Sequence, residues 1–198
     1  MDVDSTVWDT GAWVRAATLE VTGEAPDPVT IFTWTHVLDA YGETATTSIF
    51  DRVFDPARIQ EREPYPGAPE VLRALQIDPG LGIHFVTRND PGAVGPHLEP
   101  WLKEHFGPEV GLTVTTGDKL GNLRDLGAFG LVDDRPETLA RAADAGLWTA
   151  AKLQPWNRDF VARRPDVHGF SDWREVPALI RGLVTGRDAD ERGGGGVL

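Results

Sequence analysis

FGLVDDRPETLARAADAGLWTAAKL, residues 129–153, contains a short apolar run ending in two acids, a stretch with apolar residues three and four apart, and a second apolar run. Strand, helix and strand in that order predict two parallel strands with the helix laid across the sheet. Asp133 and Asp134 fall at the carboxyl end of the first strand, the edge at which open parallel sheets bind their ligands.

The same alternation extends toward the amino terminus. VLRALQ reads as a helix, GIHFVT (82–87) as a strand, PHLEPWLKEHF as a helix, LTVTT (112–116) as a strand and LGNLRDLG as a helix. The spacing therefore predicts an α/β fold, a Rossmann-like doubly wound parallel sheet covered on both faces. Before residue 65 the pattern is different. Residues 10–23, 27–43 and 47–55 all read as helical, with no strand among them. They predict a small helical cap over 10–64, inserted after the first strand, with the core formed by residues 1–9 and 65–185. The closing GRDADERGGGGVL, 186–198, has the composition of a flexible tail.

Composition narrows the function classes. A chain of 198 residues holds one substantial core. The hydrophobic share of 40% and seven tryptophans indicate a packed globule, and no run reaches the roughly 20 apolar residues of a membrane span. The acidic opening lacks the basic and apolar run of a secretory leader, so the expected location is cytoplasmic. With no cysteine there are no disulfides and no thiolate metal sites. A formal net charge of −12 argues against general nucleic-acid binding, and means that a phosphorylated partner needs a cation or a local cluster of donors. Of 19 basic residues only Lys103, Lys119 and Lys152 are lysines. In an arginine-biased chain each retained lysine is a candidate for a special role.

The candidate site residues collect at predicted strand ends. Asp2 and Asp4 share a face of an extended segment, about 7 Å apart at their Cα atoms. Thr87, Lys119, Asp133 and Asp134 fall at the same sheet edge. Acids, a hydroxyl and a lysine so placed suit phosphoryl transfer. Asp2 would be the nucleophile and Asp4 the general acid and base. Asp2, Asp4, Asp133 and Asp134 would bind Mg²⁺, the ion that all-oxygen ligands favour. Thr87 and Lys119 would hold phosphoryl oxygens, and Lys119 the nucleophile as well. Arg88 and Asn157 are candidates for substrate binding. Asp133 and Asp134 also stand where acids cap a helix, and Phe32, Trp34 and Tyr41 read as core of the cap.

The motif set resembles the haloacid dehalogenase superfamily of aspartate-nucleophile phosphotransferases. DVDST (2–6) is similar to the family's DxDx[TV], HFVTRND carries its hydroxyl motif, DKLGNL its lysine and LVDDRPE its acidic pair. YPGAPEVLRAL (65–75) is similar to the return from a helical cap into the core. The resemblance implies a Mg²⁺-dependent phosphomonoester hydrolase acting through an aspartyl-phosphate on a small phosphorylated metabolite. Within the superfamily, LVDDRPETL and QPWNR (154–158) look like the 5′(3′)-deoxyribonucleotidases, which implies (deoxy)nucleoside monophosphates, although Val3 and Ser5 replace that group's usual hydrophobic residue and glycine.

Two other classes use related residues. A receiver-type phosphoacceptor domain has its paired acids on the first strand and lacks a helical insert, an order opposite to the one here. A degenerate binding module of the same fold is the second. It gains weight from the start of the chain, where Met1 alone precedes Asp2 although a buried parallel strand is a continuous apolar run. The expectation is that this run lies upstream, a Val at an alternative start codon having been written as Met.

Overall fold

The computed structural model describes residues 1–24, 26, 34–77 and 81–181. Among the described residues there are five strands, all paired in parallel: β1 His84–Arg88, β2 Gly111–Thr115, β3 Gly130–Asp133, β4 Trp148–Lys152 and β5 Val167–Phe170. They form two groups, β1 with β2 and β3–β4–β5. Register pairs Thr87 with Val114 in the first group, and Asp133 with Ala151 in the second.

The amino terminus closes the gap between the groups. The Met1 amine donates to the His84 carbonyl at 2.5 Å, and Val86 N–H donates to the Met1 carbonyl at 2.7 Å. On the other side Asp2 N–H donates to the Val132 carbonyl at 2.8 Å. Residues 1 and 2 thus lie between β1 and β3, and the spatial order runs β2, β1, the first residues, β3, β4, β5. From this centre the chain builds outward in both directions, so Asp2 stands where strand order reverses.

Side-chain alternation sorts the strands' two faces into separate apolar clusters. Val3, Phe85, Val132, Ala150 and Phe170 belong to the largest cluster, with α3 Ala68–Gln76 and α4 Pro91–Phe106 laid over them. Val86 and Leu131 face the opposite way, toward α5 Lys119–Asp125 and α6 Pro136–Asp144. Ala151 and Val167 continue that layer with Phe160 and Val161 of α7 Arg158–Ala162. Helices therefore cover both faces. In the larger cluster Trp8 meets Trp101 edge-on at 4.7 Å between centroids, and both indole N–H groups are hydrogen-bonded, as buried tryptophans require.

Helices α1 Thr10–Thr22 and α2 Trp34–Val53 pack on each other around Val14, Ala17, Val37, Ile49 and Val53, a cluster distinct from those of the sheet. Asp9 caps α1 through Ala12 N–H at 2.9 Å. Two helices expected at 27–43 and 47–55 are one element from 34, broken at Gly42, whose φ of 77° and ψ of 170° interrupt the helical run. Phe32, the Trp34 side chain and the tail at 186–198 lie outside the described residues; Tyr41 packs on the helical pair's cluster. Helix α4 begins five residues earlier than its periodicity suggested, because Asp90 caps Gly92 and Ala93 and Pro91 occupies the first turn, where its missing N–H costs nothing. Strand β5 was not expected at all. Among the described residues no helix is long and apolar enough to cross a membrane.

Val3 has no exposed surface and is part of the largest cluster directly beside the joining segment. Val3→Ala should cost about 2–3 kcal/mol through lost burial and the cavity left behind. Denaturant titration followed by tryptophan fluorescence reads the loss, and hydrogen exchange should show β1 and β3 opening together.

Candidate active site

Each functional side chain is placed by the end of an element. Asp2 ends the joining segment, and Thr87 stands near the end of β1. Lys119 opens α5, whose first turn is capped by Asp118 through Leu120 N–H. Asp133 ends β3. Its Oδ1 accepts from the N–H groups of Asp134 and Arg135, both at 2.9 Å, just before α6, so this acid serves the helix entrance as well as the site. Its Oδ2 remains for Lys119.

The ammonium of Lys119 lies 2.5 Å from Asp2 Oδ1 and 3.0 Å from Asp133 Oδ2. Asp2, Lys119, Asp133 and Asp134 are all buried, Asp133 completely. Burial raises the proton affinity of Asp133 and the charge of Asp2 adds to it, taking the group up to about 6. Asp134 is raised well above the usual carboxylate range, first by burial and then by Asp133 and Asp2. Burial alone would lower Lys119, but Asp2 and Asp133 outweigh it and hold the ammonium charged. Three buried carboxylates beside one ammonium leave negative charge uncompensated, and such charge is taken up by protons or by a cation. One oxygen each from Asp2, Asp133 and Asp134 lie within 4.8 Å of one another. These hard oxygen donors can hold a divalent cation.

Asp4 is arranged differently. Its Oδ1 accepts from Trp8 Nε1 at 2.9 Å and from Thr10 Oγ at 3.1 Å, and Arg62 Nη1 lies 3.7 Å away. Burial raises this carboxyl as well, with Arg62 opposing and Asp2 adding. Between Asp4 and Thr6 the chain turns through Ser5 at φ 55°, a left-handed conformation that favours glycine. That turn is fixed from two sides: Ser5 N–H donates to Thr10 Oγ at 2.9 Å, and the Ser5 carbonyl accepts from Gln154 Nε2 at 2.7 Å.

Asp2, Asp4, Ser5, Thr10, Lys119 and Asp134 border one cavity of about 830 Å³, whereas Asp133 does not line it. Asp2, Asp4, Thr87, Lys119 and Asp134 form its floor, and Thr10, Gly11, Val14 and Phe54 reach it from the helical pair and the end of α2. A solved structure of a haloacid dehalogenase-like family hydrolase from Xanthomonas campestris is similar over 92% of this chain and 93% of its own, with a TM-score of 0.58 and 16% sequence identity. The two chains share a fold. No protein-family model matches the sequence, and no curated protein does. At this identity the haloacid dehalogenase-like fold rests on the backbone, and the chemistry must be read from the side chains.

The structure brings Asp2, Asp4, Thr87, Arg88, Lys119, Asp133 and Asp134 to one sheet edge, with Arg88 exposed at the cavity wall. It departs from the sequence reading at two positions. Asp4 is not among the clustered oxygens of Asp2, Asp133 and Asp134, because Trp8 and Thr10 hold its carboxylate. Asn157 does not face the cavity. It is fully buried, its amide donates to the carbonyls of Asp134 and Lys152, and its oxygen accepts from Gln154 N–H. Its side chain is thus committed to bracing the loop. The neighbouring Trp156, which the sequence reading passed over, lines the cavity and donates to Asp134 Oδ2 at 3.1 Å. Trp8, Thr10, Arg62 and Gln154 were missed as well. Trp8, Thr10 and Arg62 belong to no spaced motif, whereas Gln154 and Trp156 lie inside the quoted QPWNR and carried that signal.

A cation at these carboxylates must displace the proton that Asp133 holds up to about pH 6. Asp134, raised as well, must give up its proton too, so the apparent affinity should fall by at least about tenfold per unit below that pH, with at least one proton released for each ion bound. Calorimetric titration with Mg²⁺ at about pH 7.5 and about pH 5 measures this. Equal affinities at the two pH values would remove the clustered carboxylates as the binding site.

Proposed function

We propose that this chain is a Mg²⁺-dependent phosphomonoester hydrolase of the haloacid dehalogenase superfamily that works through an aspartyl-phosphate on Asp2. The observation that carries the reading is the pairing of Lys119 with both Asp2 and Asp133, at the point where strand order reverses and on the floor of a cavity that Asp4 and Thr87 share. That the similar Xanthomonas campestris protein is a hydrolase agrees with it.

The residues divide the work as follows. With Oδ1 engaged by Lys119, the second oxygen of Asp2 attacks phosphorus while the bond from phosphorus to the ester oxygen breaks. Asp4 gives its proton to the departing oxygen. Its raised proton affinity suits it to carry that proton, and the bonds from Trp8 and Thr10 engage Oδ1, which leaves Oδ2 for the transfer. In the second half Asp4 takes a proton from water, whose oxygen attacks phosphorus and releases the Asp2 carboxylate. Lys119 and Thr87 donate to phosphoryl oxygens, where charge builds during transfer. Asp2, Asp133 and Asp134 would hold Mg²⁺, which supplies the positive charge that lets a carboxylate approach a phosphate. The helical pair acts in this reading as a cap over the cavity.

The substrate is a small phosphorylated metabolite. A cavity of about 830 Å³ has room for far more than phosphate and falls in the usual range of small-molecule sites. Nucleoside and deoxynucleoside monophosphates are the first candidates, given the QPWNR likeness and the indole of Trp156 at the cavity wall.

Asp2→Asn keeps the shape of the side chain and removes its nucleophilic charge, so phosphatase turnover should fall by about 10⁴-fold or more. A variant that keeps most of its activity would end the assignment. Asp4→Asn should lower the rate by about 10²- to 10⁴-fold. The loss should be heavier for an alkyl phosphate than for 4-nitrophenyl phosphate, whose leaving group needs no proton; single-turnover rates on the two esters make the comparison.

A further inference from the structure

Arg62 belongs to no motif and lies between the helical pair and the sheet. Only 2% of its surface is exposed, and a buried guanidinium is costly unless its charge and N–H groups are met. Nη1 lies 3.7 Å from Asp4 Oδ1, and Nη2 donates to the Val53 carbonyl at the end of α2. Its guanidinium lies 4.2 Å from the ring centroid of Trp8 and 5.3 Å from that of Trp13 in α1. The Arg62 carbonyl accepts from Trp101 Nε1 of α4 at 2.9 Å. One residue therefore contacts the Asp4 loop and both helices of the pair, while its main chain is fixed to the largest core cluster.

These contacts are a poor design for stability alone. At 3.7 Å the ion pair is longer than a hydrogen bond, Nε has no partner among the described residues, and Asp4 Oδ1 already accepts two other bonds. An apolar side chain of similar volume would avoid the cost of burying the charge. We propose that Arg62 is a positioning residue, which orients the Asp4 carboxylate for proton transfer only while α1 and α2 are seated over the cavity. Any shift of the α2 end moves the Val53 carbonyl, the guanidinium follows, and Asp4 loses one of its three restraints. The inference rests on the reading of Asp4 as the proton-transfer group, and makes that group's geometry depend on the helices that close over the substrate.

Arg62→Met removes the fork and keeps much of the apolar stem; Arg62→Lys keeps a point charge that cannot span both partners or stack in the same way. The Met variant should fold with a thermal midpoint near that of the wild type. Its kcat should fall by about tenfold or more with KM unchanged, and the Lys variant should not restore it. In an Asp4→Asn background Arg62→Met should cause no further loss. Hydrogen exchange at residues 4–10, read without any substrate, should rise by about tenfold in the Met variant. The proposal is overturned by a Met variant that does not fold, by a wild-type kcat, by full rescue with lysine, by losses that multiply in the double variant, or by unchanged exchange at 4–10. If the wild type hydrolyses no phosphomonoester, the phosphatase reading fails, and the exchange measurement still decides the role of Arg62.

Discussion

Three carboxylates buried around one ammonium set the terms for everything near the sheet edge. Lys119 reaches Asp2 and Asp133 at once, and without it the two acids would repel each other across a space that water barely enters. A compact ammonium can sit between two carboxylates in this way, whereas a planar guanidinium would need a wider gap and a fixed direction of approach. The single lysine at this position in an arginine-rich chain is therefore a matter of shape as well as charge. Its one charge does not balance three carboxylates, and the remainder adds to burial in raising Asp133 and Asp134 and makes the cluster receptive to a cation.

The backbone explains why these groups meet. Asp2 sits on the seam between two groups of strands, held to β1 through the Met1 main chain and to β3 through its own amide. Strand ends on either side bring Thr87 and Asp133 to the same level. The turn at Ser5 then sends the chain away toward α1, and Gln154 and Thr10 keep that turn from relaxing. The QPWN loop completes the frame, with Asn157 holding the Asp134 main chain and Trp156 its side chain.

Most of the fold was legible because β1 to β4 are short apolar runs, three of them with an acid or hydroxyl at or next to the end, and because α3, α5 and α6 carry plain helical periodicity. Strand β5 escaped since VHGF offers only Val167 and Phe170 to the core, with a histidine and a glycine between them. The start of α4 was hidden because the helical reading began at Pro96, and only Pro91 in the first turn and the Asp90 cap show that the helix begins earlier. The site's charged floor was legible for a related reason, as its residues lie at predictable strand ends. Asn157 misled because its motif could not show which way the amide faces. Arg62 and Trp8 gave no warning, since their importance arises from contacts between segments far apart in the chain and one arginine among many carries no spacing signal.

The cavity's two sides have separate foundations. Its floor is built on strands of the sheet, whereas Thr10, Gly11 and Val14 of its roof belong to a helical pair with an apolar cluster of its own. Drift under selection can therefore alter the roof without entering the ladder that aligns the acids, so the cavity's shape can change while its acidic floor stays in register. Laboratory libraries confined to α1, α2 and Phe54 would explore the same freedom. Arg62 sets its limit, because a roof that no longer presents the Val53 carbonyl gives up its hold on the loop beneath.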